Sequence, residues 1–261
     1  MPIALVREVS PTLASCELTH LAREPLDIGR AGNQHRQYTD LLSRLGCEVH
    51  WIPEAPELPD AVFVEDTAVV VDEIGVISRP GAESRRPETP TMASVLARFR
   101  RIVAIAAPGT LDGGDVLRVG RTIYVGRSER TNADGVAQLE RLLAPYGYRV
   151  RAVEVHGCLH LKSAVTEVAE GTLLYNPAWV DARAFAGHAL LDIDPAEPFA
   201  ANGLRIGPAL VYPEAFPRTR ARLEQRGIGI AAVDLSELAK AEGAVTCCSV
   251  VFERGSANLS G

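Results

Sequence analysis

A chain of 261 residues, 47% hydrophobic and with a formal net charge of −6, is long enough for one or two globular cores. The acidic balance and the lack of a Lys/Arg cluster argue against nucleic acid as a partner. Apolar runs such as Ile102–Ala107 are too short to cross a bilayer, and the N-terminus lacks the basic start and long apolar region of a secretory signal, so a cytoplasmic, membrane-free protein is expected. Five cysteines, scattered apart from one adjacent pair, fit reduced thiols, and no His/Cys spacing resembles a structural zinc site.

In chain order, Ile3 to Val6 reads as a short buried strand. Residues 33 to 45 read as an amphipathic helix, because Tyr38, Leu41, Leu42 and Leu45 recur on one face, and Gly46 ends it. A strand from Glu48 to Ile52 leads into a Pro-rich loop, and then Ala61–Val64, the acidic pair Glu65–Asp66 and Thr67–Val71 follow. Ile74 to Ser78 is a strand, Arg79 to Pro90 a loop, 91 to 100 a helix and Ile102 to Ala106 a strand. The next acidic element, Gly109-Thr110-Leu111-Asp112-Gly113-Gly114-Asp115, precedes a strand at Thr122–Val125, a helix at Asp134–Tyr146 and a strand at Arg149–Val155. Gly157–Val165, holding His160, pairs with Thr172–Tyr175, and 180 to 186 reads as a short helix. Phe199–Ile206 pairs with Ala209–Tyr212, ahead of a helix at 217 to 226 and a strand at Ile228–Val233. Gly243 to Phe252 reads as a turn running into a strand, with Cys247 and Cys248 on opposite faces by alternation. Residues 253 to 261 read as a flexible polar tail after a single domain spanning 1 to 252.

The polar residues of these elements fall at Asp66, Asp112, His160, Asn202 and Cys247, with gaps of 46, 48, 42 and 45 positions. A period in that range marks repeated supersecondary units, here strand, strand, helix, strand. Closing five such units into a ring brings the polar positions to one axis and hides the strand edges that an open array exposes. The expected fold is therefore a five-bladed α/β propeller with its site on the axis.

Adjacent free cysteines are most often small core residues. A nucleophile needs more: Cys247 paired with His160 supplies a thiol and a group able to move a proton. Glu65, Asp66, Asp112 and Asp115 lie in apolar contexts, where carboxylates are costly without a positive partner. A planar guanidinium is such a partner, since it donates bidentate hydrogen bonds. Arg85 and Arg130, in loops between units, are placed to meet an anionic end of the same substrate.

Phe63-Val64-Glu65-Asp66, Thr110–Asp115, Leu159-His160-Leu161-Lys162-Ser163 and Val245-Thr246-Cys247-Cys248-Ser249, together with Arg79–Arg86 and Arg130-Thr131-Asn132, resemble the dimethylarginine dimethylaminohydrolase family of the guanidine-modifying (pentein) superfamily. The resemblance runs to about Phe252 and implies the five-bladed propeller. It also implies hydrolysis of dimethyl- and monomethylarginine to citrulline and a methylamine through a covalent thiouronium on the cysteine, with no cofactor and no metal. Carried over by position, Cys247 is the nucleophile, His160 the general acid and base, and Asp112 its carboxylate partner, a place where some relatives carry Glu. Asp66 is expected to grip the guanidinium with Glu65 nearby, and Arg85 and Arg130 to clamp the α-carboxylate. Asp60 and the backbones of Leu18 and Ala241 are expected at the amino end. Lys162 stands where arginine deiminases of the superfamily usually carry an Asp, which favours a methylated guanidine over arginine. A related deiminase, a non-catalytic propeller binding arginine derivatives and a redox-sensing thiol protein are the competing readings. The sequence leaves the oligomeric state open, with a homodimer as one option, and offers Leu18–Gly32 as a lid loop.

Overall fold

In a computed structural model, whose residues 1–255 are described here, fifteen strands form five three-stranded sheets. The first sheet joins the chain ends: β1 (Pro2–Val6) pairs in parallel with β2 (Glu48–Trp51), and α1 (Ile28–Arg44) crosses between them. β3 (Ala68–Val70), β4 (Ile74–Ile77), α2 (Thr89–Leu96) and β5 (Arg101–Ala104) make the second blade. β6 (Val116–Val119), β7 (Thr122–Arg127), α3 (Ala133–Leu143) and β8 (Arg149–Glu154) make the third. In the fourth, the single turn α4 (Leu161–Ala164) leads into β9 (Val165–Ala169), β10 (Thr172–Tyr175) and β11 (Ala189–Asp192). The fifth holds β12 (Leu204–Ile206), β13 (Ala209–Pro213), α5 (Pro217–Gln225) and β14 (Gly229–Val233). Finally α6 (Ser236–Ala239) leads to β15 (Val250–Glu253), which pairs antiparallel with β1, Leu5 opposite Val250.

Every blade has the same wiring. An inner antiparallel pair is followed by a crossover to an outer strand parallel to the middle one. The inner strands β3, β6, β9, β12 and β15 all line one axial cavity, so the ring is closed as the spacing predicted. β15, from the far end of the chain, supplies the inner strand of the first blade and so closes the ring. The core lies between sheets and helices. Tyr38 and Leu42 of α1, for example, are fully buried in the cluster that also holds Val6, Val233 and Val245. Each fully buried Leu of this kind contributes about 1.5–3 kcal/mol.

Several boundaries differ from the sequence reading. Helix α1 begins at Ile28 instead of residue 33, because Asp27 caps it by accepting from the Arg30 N–H at 2.9 Å. The crossover at 180–186 is a single 3-10 turn, Ala182–Phe185. Glu65, Asp66 and Asp115 sit not on strands but on 3-10 turns, Val64–Thr67 and Gly113–Asp115, just before the inner strands. Cys247 and Cys248 likewise lie in a turn before β15, so their different burial comes from turn geometry and not from strand alternation. Glu253, read as the start of the tail, is the last residue of β15, and residues 256–261 of that tail lie outside the described residues. No helix among the described residues is long and apolar enough to cross a membrane.

Candidate active site

Three of the turns that precede the inner strands send polar side chains, those of Asp66, His160 and Cys247, into one narrow cleft at the axis. Its walls are Glu17, Asp60, Phe63, Asp66, Arg85, Arg130, Leu159, His160, Ala241, Glu242 and Cys247.

His160 caps α4 with an extended backbone, which throws its ring into the cleft. Nε2 lies 3.1 Å from Asp112 Oδ2, and Nδ1 lies 3.8 Å from Asp66 Oδ1. Asp112 is fully buried and held from behind, since its Oδ1 accepts from the Gly81 N–H at 2.9 Å. The Thr110–Asp115 motif has a steric purpose: a Cβ on Gly114 would lie 2.5 Å from His160 Nδ1 and 2.7 Å from Asp66 Oδ1. Asp115 anchors the His160 segment by accepting from the Leu161 N–H at 2.9 Å, and burial pushes its carboxyl up to about 6. Burial alone would lower the His160 imidazole. The charge of Asp66, the Asp112 hydrogen bond and the charge of Asp115 outweigh it and raise the group to about 9. His160 is therefore an imidazolium at neutral pH.

Burial also raises the Cys247 thiol far above its usual range, and the charges of Glu65 and Asp66 add to this. Cys247 is half-buried and lines the cleft, whereas Cys248 is fully buried. All five cysteines are free.

Arg85 is 4% exposed, not a solvated loop side chain. Its Nη1 donates to Asp66 Oδ2 at 2.5 Å, and its Nε and Nη2 grip Glu88 at 3.0 and 2.9 Å. Nη2 also reaches the carbonyls of Asp60 and Phe63, so Nη1 keeps the one N–H without a protein acceptor. Arg130 is half-buried and donates from Nη2 to Thr19 Oγ1 at 2.9 Å. Burial lifts Asp60 to about 6, and its Oδ2 accepts from the Glu17 N–H at 3.1 Å. Burial would raise Asp66 too, but His160 and Arg85 bring it down to about 2.

One expected position falls elsewhere. Glu65 turns away from the cleft: its Oε1 meets Lys162 Nζ at 2.5 Å and its Oε2 accepts from Thr246 Oγ1 at 2.8 Å. Glu65, Lys162 and Thr246 line the axial cavity on the other side of this wall, while Asp66, His160 and Cys247 line the cleft. The side chain of Leu18 is half-buried against the core, and its neighbour Glu17 lines the cleft. Glu17 and Glu242 were missed from the sequence, since nothing in their local pattern separates them from surface carboxylates. Asp66, Asp112 and His160 offer ligand atoms within 4.8 Å of one another, a spacing a metal ion would accept. The same atoms are committed to the imidazole–carboxylate contact and to Arg85, so the donor set is already satisfied by protein charges.

Residues 23–174 match the family model described as "N,N dimethylarginine dimethylhydrolase, eukaryotic". The dimethylarginine dimethylaminohydrolase of Streptomyces coelicolor is 44% identical over 95% of both chains. That of Pseudomonas aeruginosa is 34% identical over 90% of this chain and 92% of its own. A solved structure of the Pseudomonas aeruginosa enzyme, a cysteine-to-serine mutant complexed with citrulline, superposes with a TM-score of 0.91 at 31% identity, covering 95% of this chain and 98% of that one. With its propeller closed and its cysteine, histidine and carboxylates gathered at one cleft, the chain belongs to the dimethylarginine dimethylaminohydrolase family.

Proposed function

We propose that the protein hydrolyses Nω,Nω-dimethyl-L-arginine and Nω-monomethyl-L-arginine to L-citrulline and dimethylamine or methylamine. The observation that carries this reading is the polarity of the cleft. Cys247, His160 and Asp66 line it, with Asp112 bound behind His160, and Arg85 and Arg130 stand on the same walls with a free Nη1 N–H at Arg85. A zwitterionic amino acid with a cationic tail complements such a site: its guanidinium meets Asp66 and its α-carboxylate meets the arginines. Asp60 and the Ala241 backbone take the amino group.

In the resting site the thiol is neutral and His160 charged. Entry of a guanidinium places positive charge beside Cys247, offsetting Glu65 and Asp66 and favouring loss of the thiol proton to solvent, where the departing amine later takes one up. The thiolate attacks the guanidinium carbon and forms a C–S bond. His160 gives its proton to the nitrogen of the departing amine, and the C–N bond breaks. The neutral imidazole, held by Asp112, then takes a proton from water, whose oxygen attacks the thiouronium carbon. The C–S bond breaks, the hydroxyl proton of the collapsing intermediate passes to the sulfur, and citrulline leaves with the neutral thiol and the imidazolium restored. The two-step route replaces a difficult substitution by two easier ones, and His160 switches between acid and base.

Lys162 supports the methylated substrate in a way the sequence did not reveal. Its ammonium is bound to Glu65 on the axial side and does not enter the cleft, and Leu159 and Phe63 supply apolar wall there. The test is citrulline release from dimethylarginine, monomethylarginine and arginine by the wild type and Cys247→Ser. Turnover of the methylated substrates, lost in the variant, is expected. Preference for arginine would move the protein to the deiminase branch, and turnover surviving in Cys247→Ser would remove the nucleophile from the mechanism.

A further inference from the structure

The segment that follows Cys16 runs along the rim of the cleft: Glu17 lines it, and Thr19 accepts the Arg130 hydrogen bond. The backbone of residues 19–21 in this rim is held by a side chain from the far end of the sequence. Glu242 Oε1 accepts from the backbone N–H groups of Thr19, His20 and Leu21 at 3.0, 2.6 and 2.7 Å, and Oε2 accepts from Thr19 at 3.2 Å. Three successive amides converging on one carboxylate form an anion nest.

The backbone of Glu242 shows that this contact is built, not incidental. Its φ is +58°, the one positive value at a non-glycine residue among those described. It sits in the turn that ends α6, where the Gly243 N–H returns to the Leu238 carbonyl at 3.0 Å. Glycine or asparagine is the usual occupant of such a left-handed position, because a Cβ is strained there. The turn cannot slide to put Gly243 in that place with a side chain after it, since a Cβ on Gly243 would lie 2.3 Å from the Phe63 ring. Phe63 is itself a cleft wall, so the carboxylate is fixed relative to the site.

We propose that Glu242 is a latch: a positioning residue that holds the rim segment 17–21 closed over the Cys247 cleft. Arg130 couples the latch to the ligand, because the guanidinium that binds Thr19 is the one facing the substrate's carboxylate. Closure excludes water and fixes the substrate's amino-acid end against Asp60, whose carboxylate holds the Glu17 amide. The kinetic consequence rests on the dimethylarginine reading above; the latch contact itself does not.

Glu242→Gly removes the carboxylate and relieves the left-handed strain, so the variant folds; Glu242→Gln keeps a neutral acceptor. In Glu242→Gly, hydrogen exchange at the Thr19, His20 and Leu21 amides of the free protein should accelerate at least about tenfold. Alkylation of Cys247 by iodoacetamide should accelerate with it. KM for dimethylarginine should rise by about fivefold or more with a smaller change in kcat, as expected when the competent closed state is less populated. Glu242→Gln should fall between the two. Unchanged exchange at those three amides would overturn the latch whatever the activity. Faster exchange with unchanged alkylation and KM would overturn its role at the site. If exchange and alkylation respond but no methylarginine is turned over even by the wild type, the latch stands and the substrate reading fails.

Discussion

Removing the charge of Asp112 tests the central electrostatic claim. In the wild type, His160 is raised from 6.5 to about 9 against the opposing effect of burial. That net shift corresponds to about 3 kcal/mol favouring the imidazolium. Asp112 supplies one charge-assisted hydrogen bond, Nε2 to Oδ2 at 3.1 Å. Such a bond contributes roughly 1.5–3 kcal/mol, which at 1.36 kcal/mol per unit is about 1–2 pKa units. Asp112→Asn should therefore bring the His160 midpoint down to about 7–8. If the Asn amide oxygen keeps the Gly81 N–H, its NH₂ faces Nε2 and disfavours the proton further. The assay is an NMR titration of the His160 ring, assigned by its disappearance in His160→Gln. Stability must follow with a definite sign. A group raised in the folded state contributes fully below its unfolded pKa of 6.5 and loses that contribution as pH rises through its folded value, about 9 here. Chemical denaturation between pH 6 and pH 10 should show this loss complete at lower pH, and smaller, in Asp112→Asn. A His160 midpoint unmoved by the substitution would refute the reasoning.

Two further perturbations read the surroundings of the site. His35, fully buried in α1 near the Cys248 backbone, is lowered to about 4, chiefly by burial. Its contribution to stability is complete above pH 6.5 and is lost as pH falls through about 4, so the wild type should lose about 2–3 kcal/mol from this group between pH 7 and pH 4.5. His35→Leu should flatten that part of the pH–stability curve, and an unchanged slope in urea titrations would exclude the assignment. Lys162→Met strands the buried Glu65 carboxylate, which burial already raises. We expect a cost of about 3–5 kcal/mol at pH 7 that shrinks as the pH is lowered and Glu65 takes up a proton, and recovery in the double variant with Glu65→Gln. A loss independent of pH would mean that packing of the lysine stem, and not the ion pair, is what matters.

Much of this molecule is legible along the chain. Polar residues recurring at Asp66, Asp112, His160, Asn202 and Cys247 mark the same turn in each blade, because each blade is the same supersecondary unit facing the same axis. The residue types at those turns already name a nucleophile, a proton carrier and cation-binding carboxylates, since chemical identity is local. What lies on which side of the axial wall is not local. Glu65 and Asp66 are neighbours, yet one faces Lys162 in the axial cavity and the other faces Arg85 and His160 in the cleft. The sequence reading put both on the substrate because a one-residue step on a short helical turn redirects a side chain in a way no spacing rule records. The burial of Arg85 and the pairing of Glu242 with Thr19–Leu21, more than 220 positions away, are likewise decided only when the ends of the chain close the ring. Local pattern determined the blades and the chemistry they carry; tertiary packing decided which charges meet, and therefore which groups are protonated at neutral pH.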